Sequence, residues 1–156
     1  MHFEVSRVIK ADPGAVYAAY TDFEATPRWS KHVKAVKVTK REGDTVYLEN
    51  EAVSSKGKER KTSGSLRLVP PSRVESEGET RFTRTKRTVT FSSVEGGTQV
   101  TASLDIEVKG AWRLLLSPSA KRESAEAYAQ EELDSFAKFV EGAQQSAPDP
   151  GRGLTA

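Results

Sequence analysis

Few side chains in this chain have the chemistry to act on a substrate, so they can be weighed one at a time. The two histidines, His2 and His32, are far apart in sequence, and the first is next to the terminus. A metal site needs ligands that converge and a serine–histidine–acid triad needs a third partner at matching spacing; neither pattern is present, so no metal and no catalytic residue is assigned. There is no cysteine, which removes thiolate nucleophiles, disulfides and cysteine metal sites together. Glu49 and Glu51 share one strand parity with Tyr47, and paired carboxylates in unlike surroundings can divide acid and base work. Val46, Leu48 and Ala52 fill the opposite parity, which reads the same pair as solvent-facing. A group that polarises a carbonyl would be a cation or a phenol, for which Arg84 and Tyr47 are available. No phosphate loop, dinucleotide fingerprint, zinc spacing or EF-hand loop occurs, and no cofactor is expected.

The elements that must position these groups are easier to read. The segment Ser119 to Gly142 carries Ala125, Ala129, Leu133, Phe136, Ala137 and Val140 at three-and-four spacing, which predicts a one-sided helix. At the usual rise it would run roughly 36 Å, long enough for a curved sheet to close around its apolar stripe. Its alanines are small for a core face, so the stripe is read both as packing and as one wall of a ligand cavity. The chain opens with a strand, Phe3 to Lys10, followed by Asp12-Pro13-Gly14, where the aspartate is placed to cap a helix and the proline to begin it. That helix runs to about Asp22, and a second short piece spans Phe23 to about Lys31. Then come Val33 to Thr39, Thr45 to Val53, Lys58 to Val69, Arg73 to Glu79, Phe82 to Val94 and Thr98 to Val108, rich in valine and threonine with period-two character. Their links are short, which predicts one antiparallel meander, with Gly96 and Gly97 in a tight turn. Between Phe82 and Thr90 basic residues stand at both parities, so a long cation must point inward or snorkel from an edge. The connector Lys109 to Pro118 holds Trp112 and three leucines and is read as a lid or first helical turn.

At 156 residues the chain fits one domain, over residues 1–145. The tail from Ser146 is expected to be disordered. No apolar stretch is long enough to span a membrane, and the start lacks a signal-peptide layout, which points to a cytoplasmic protein. Net charge is +2, which makes nucleic acid an unexpected partner. The charge is sorted, however: Lys56 to Arg87 is net +6 and Ser117 to Gln145 net −3. This is read as a solvated surface, or else as a face for an anionic partner or charged head group.

The order strand, two short helices, six antiparallel strands, long helix resembles the START-like, or SRPBCC, superfamily. The local sequence is similar to its polyketide cyclase/dehydrase branch. The resemblance rests on Val16 to Trp29 (VYAAYTDFEATPRW) followed by Val33, on the hairpin Glu95 to Val108 (EGGTQVTASLDIEV), and on the closing helix. It implies an α+β helix-grip fold, a seven-stranded antiparallel sheet wrapped around the long C-terminal helix, with two short helices after the first strand. It also implies a cavity for a small apolar molecule such as a lipid, polyketide or isoprenoid. The wall candidates are Trp29, Val33, Tyr47, Leu48, Phe82, Phe91, Leu104, Ile106, Trp112, Tyr128, Ala129, Leu133 and Phe136, with Arg84 as polar anchor. Three functions follow from the resemblance: a carrier or sensor, a cofactor-free aromatase/cyclase or dehydratase, and a co-chaperone-like interaction module. A monomer is the expected state.

Overall fold

Valine and threonine at alternate positions, interrupted by glycine and proline turns, give strands joined in sequence as hairpins. The computed structural model describes residues 1–54, 57–79, 82–110 and 118–146. In chain order these form β1 (His2–Ile9), α1 (Pro13–Thr21), a 3-10 helix (Phe23–Arg28), β2 (Val33–Glu42), β3 (Thr45–Val53), β4 (Glu59–Val69), β5 (Arg73–Glu79), β6 (Thr83–Val94), β7 (Gly97–Val108) and α2 (Pro118–Ser146). One seven-stranded sheet results, in the order β1-β7-β6-β5-β4-β3-β2, and each neighbouring pair is antiparallel. The first and last strands are therefore partners, and β2 forms the far edge. The fold is the α+β helix grip that the order of elements implies.

Local details differ from the sequence reading in instructive ways. Asp12 makes no side-chain capping bond; its carbonyl accepts from the Val16 amide at 3.0 Å, and Pro13 starts α1 where no donor is required. The second short helix is a 3-10 turn that stops at Arg28, with Pro27 inside it. The long helix begins at Pro118 and continues to Ser146, past the apolar stripe. The connector's Trp112 and leucines, and the tail beyond Ser146, lie outside the described residues.

The hairpin between β6 and β7 turns at Glu95-Gly96, with Gly96 at φ 86°. Gly97 follows at φ 151°, and a Cβ there would sit 2.1 Å from the carbonyl oxygen of Ile9. This glycine lets β1 approach the start of β7.

The sheet's inner face is divided along its strands. In one half Val5, Ile9, Val74, Val89, Phe91, Val100 and Ala102 are buried with Phe136, Ala137 and Val140 of α2. Full burial of the valine, isoleucine and phenylalanine side chains among these contributes about 1.5–3 kcal/mol each. Helix α2 is clasped to β1 by polar groups as well: Arg7 Nη1 donates to Asp134 Oδ1 at 2.9 Å, and Gln130 Nε2 donates to the same oxygen at 3.0 Å. In the other half, inner-face positions stay part-exposed: Leu104 and Ile106 on β7, Thr85 and Arg87 on β6, Ser76 on β5, Gly64 on β4 and Asn50 on β3.

Candidate functional site

The part-exposed half of the inner face is the candidate site, and strand parity decides which side chains are there. On β6, Val89 and Phe91 are buried in the core, and the β6–β7 register runs without a shift, so Thr85 and Arg87 point the same way. Arg84 and Lys86 therefore face out. Arg84 lies 3.5 Å from Glu79 and Lys86 3.7 Å from Glu77, both pairs well exposed. The inward cation that the basic run requires is thus Arg87, not Arg84. In register it stands between Ser76 and Leu104, and Leu104 is in turn opposite Phe3.

Across from the sheet, α2 and the segment after the 3-10 helix supply polar groups. Ser30 is 1% exposed, and its Oγ lies 2.8 and 2.7 Å from the two carboxylate oxygens of Glu132, to which it donates. The rings of His32 and Tyr128 are 4.8 Å apart, and His32 Nε2 is 4.0 Å from Glu131. Tyr128 is half exposed, yet burial of part of its ring pushes the phenol up from its ordinary value; Glu132 adds to this and Arg87 opposes it. Tyr128 therefore stays protonated through neutral pH. Four buried polar atoms have no hydrogen-bond partner among the described residues: Tyr17 Oη, Trp29 Nε1, His32 Nε2 and Arg87 Nε. Orphans of this kind are uncommon in folded proteins and call for an explanation.

The residues singled out from sequence are distributed unevenly over this arrangement. Trp29 packs between Tyr20 and Phe136, with ring centroids at 6.5 and 5.1 Å. Leu104 and Ile106 stand on the inner face beside the core, Leu133 is buried on α2, and Leu48 is buried in a small satellite cluster with Phe23 and Val46. Phe91, Phe136 and Ala129 belong to the filled core. Phe91 is locked edge-on to Tyr17 and Tyr20. Val33 is part-buried at the start of β2, where the pairing with β3 is irregular. Tyr47 is not on the inner wall: Val46 and Leu48 are buried, so Tyr47 between them faces out and is exposed. Phe82 precedes β6 at the rim of the sheet and is also exposed, its carbonyl accepting from the Lys109 amide at 2.8 Å. Trp112 lies outside the described residues.

Glu49 and Glu51 share the outer parity of Tyr47. They border a half-open groove of about 490 Å³ along β2, β3 and β4, where Lys61 Nζ is 3.7 Å from Glu51. An acid–base pair inside the protein cannot come from them. Among the described residues no cluster of histidine, aspartate and glutamate has the makings of a metal site. No helix of the described residues is long and apolar enough to cross a membrane.

Comparison with known structures places the fold among solved relatives. A protein of Thermus thermophilus aligns at a TM-score of 0.72 and 24% identity, covering 96% of this chain and 100% of that one. The Zhui aromatase/cyclase of a Streptomyces species aligns at 0.79 and 15% identity, covering 94% and 97%. A START superfamily protein of Mycobacterium smegmatis aligns at 0.70 and 17% identity, covering 94% and 99%. No curated protein matches in sequence. The sequence itself matches, over residues 1–141, the family described as polyketide cyclase / dehydrase and lipid transport, and the chain belongs to that START-like family.

Proposed function

We propose that this protein binds a small, largely apolar molecule between the inner face of its sheet and α2, as a carrier or sensor. The observation that carries the reading is the uncovered half of the inner face. Leu104 and Ile106 remain part-exposed there although they point the same way as the buried Val100 and Ala102. Pockets for small ligands combine such apolar walls with a few placed polar groups, and Arg87, Tyr128 and His32 would serve as those. Trp29, Leu133 and Val33 would complete the wall near the 3-10 helix, with Tyr128 at its margin. The test is native mass spectrometry of the purified protein, alongside titration with a neutral apolar fluorophore. A co-purified apolar molecule, or saturable binding lost in Ile106→Glu, supports the reading. A protein that retains no small molecule and binds no such probe refutes it.

A second reading, cofactor-free cyclisation or dehydration of a ketide, is favoured by one observation: Arg87 and Glu132 both act electrostatically on the Tyr128 phenol. A cation, a neutral donor and a carboxylate around one substrate would be what an enolising reaction requires. Consumption of a synthetic poly-β-ketone by wild type and not by Glu132→Gln would establish it. Binding without consumption would leave the carrier.

A further inference from the structure

Of the arginines at inner-face positions among the described residues, Arg7 and Arg87 are part-buried whereas Arg41 and Arg60 are exposed, and the two part-buried ones are treated differently. Arg7 on β1 meets Asp134 of α2 at 2.9 Å. Arg87 on β6 forms no ion pair among the described residues, and its Nε has no hydrogen-bond partner. Its outward neighbours on the strand, Arg84 and Lys86, each face a glutamate of β5. We propose that Arg87 is a carboxylate-binding residue: the ligand is an apolar acid whose carboxylate seats on the Arg87 guanidinium. This rests on the reading that an apolar molecule occupies the uncovered half of the inner face.

Three physical points support it. A part-buried charge without a partner is costly, and a guanidinium cannot escape the cost by losing its proton as a lysine can. One unpaired positive charge is balanced by a monoanion, and the planar fork formed by Nε and a terminal nitrogen matches the two oxygens of a carboxylate. Glu132 of α2 makes its hydrogen bonds to the hydroxyl of the buried Ser30, at 2.8 and 2.7 Å, and forms no ion pair with Arg87. The surroundings of Arg87 supply the apolar part of the recognition. Leu104 is its cross-strand neighbour on one side, and on the other Ser76 leads to Leu66 of β4. A ligand with its acid on Arg87 would lay its body over Leu104 and Ile106.

The experiment compares two probes that differ only at the head, pyrene-1-butyrate and pyrene-1-butanol, titrated by fluorescence into wild type, Arg87→Met and Lys86→Met. The acid is expected to bind wild type about tenfold to a hundredfold more tightly than the alcohol, as a charge-assisted pair implies. In Arg87→Met the two probes should bind equally, with the alcohol's affinity unchanged, whereas Lys86→Met, which removes an outward charge from the same strand, should behave as wild type. Equal binding of acid and alcohol to wild type would overturn the proposal while leaving the apolar site intact, and this comparison needs no variant to fold. A preference that survives Arg87→Met would overturn it as well, by assigning the acid to another cation. Failure of wild type to bind either probe would remove the apolar site itself, and the proposal with it.

Discussion

Phe136 is the side chain on which the packing account is most exposed to test. It is 1% accessible, and its ring meets Trp29 at 5.1 Å and Tyr20 at 5.5 Å, both edge-on. Truncation to alanine removes the buried ring and leaves a cavity between α2 and the helical segments after β1, for which about 3–5 kcal/mol is the usual loss. Each aromatic contact of this kind adds about 0.5–1.5 kcal/mol beyond area burial, so Phe136→Ala belongs in the upper part of that range. A domain of this size unfolds with about 5–15 kcal/mol in hand, and each kcal/mol moves its melting temperature by about 2–4 °C. The expected drop is therefore on the order of 10 °C or more, measured by circular dichroism with a urea titration to confirm the free energy. Glu141→Ala is the control on the same helix. Among the described residues its carboxylate accepts only from the exposed Lys10 amide at 3.3 Å, and its loss should stay within about 0.5 kcal/mol. Similar losses for the two variants would mean that the helix does not present this face to the sheet.

Gly97→Ala should destabilise more than Gly96→Ala, because its Cβ meets the Ile9 carbonyl at 2.1 Å whereas that of Gly96 meets open space; paired thermal melts would show the order, and equal melts would refute the close approach of β1. Ala129 is 5% exposed within the core cluster, so Ala129→Phe should overpack it and cost about 1–3 kcal/mol; an unchanged melt would mean that space lies beside it. Asp134 is held below the ordinary aspartate range, first by the Gln130 amide and then by Arg7, against the effect of burial. Because the folded value is the lower one, its contribution is complete above the unfolded range and disappears as pH falls through the folded value. Asp134→Asn should therefore lower stability at neutral pH and converge with wild type in strong acid, as melts over a pH series would show. The phenol of Tyr128 should ionise above its ordinary value, so the ultraviolet titration of Tyr128→Phe should lose a late component; loss of an ordinary one would show that the ring is not desolvated.

The fold was legible because its signals are local and repeated. Alternation over Val100, Ala102, Leu104, Ile106 and Val108 marks β7 without help from any other strand, and the three-and-four stripe marks α2. Parity also carried information that a list of candidate wall residues obscures. Tyr47 and Leu48 are adjacent on one strand and cannot both face inward, and the buried Val46 assigns the inner side to Leu48. Counting back by twos from Phe91 and Val89 reaches Arg87, so the inward cation was available from the sequence of β6 alone. The polar arrangement across from it was not. Ser30 and Glu132 are joined over about a hundred residues, and nothing local to either announces the other. The same holds for the ring contact of His32 with Tyr128. Such pairs are products of how α2 packs against the segment after the 3-10 helix, and packing between distant segments is not written in any short stretch of chain.

The pairing of the first strand with the last has a consequence for how the protein comes into being. Phe3 lies opposite Leu104, so β1 has no partner in the sheet until about a hundred further residues have been made. The intervening hairpins β2 to β6 can form by short loop closures, whereas docking of β1 must wait for a long one, which makes it a late and slow event. During synthesis the side chains of Phe3, Val5 and Ile9 would remain uncovered while the hairpins assemble beside them. A nascent chain halted before Gly97 would expose both the unpaired edge of β6 and this apolar strand, the combination that drives association between incomplete chains.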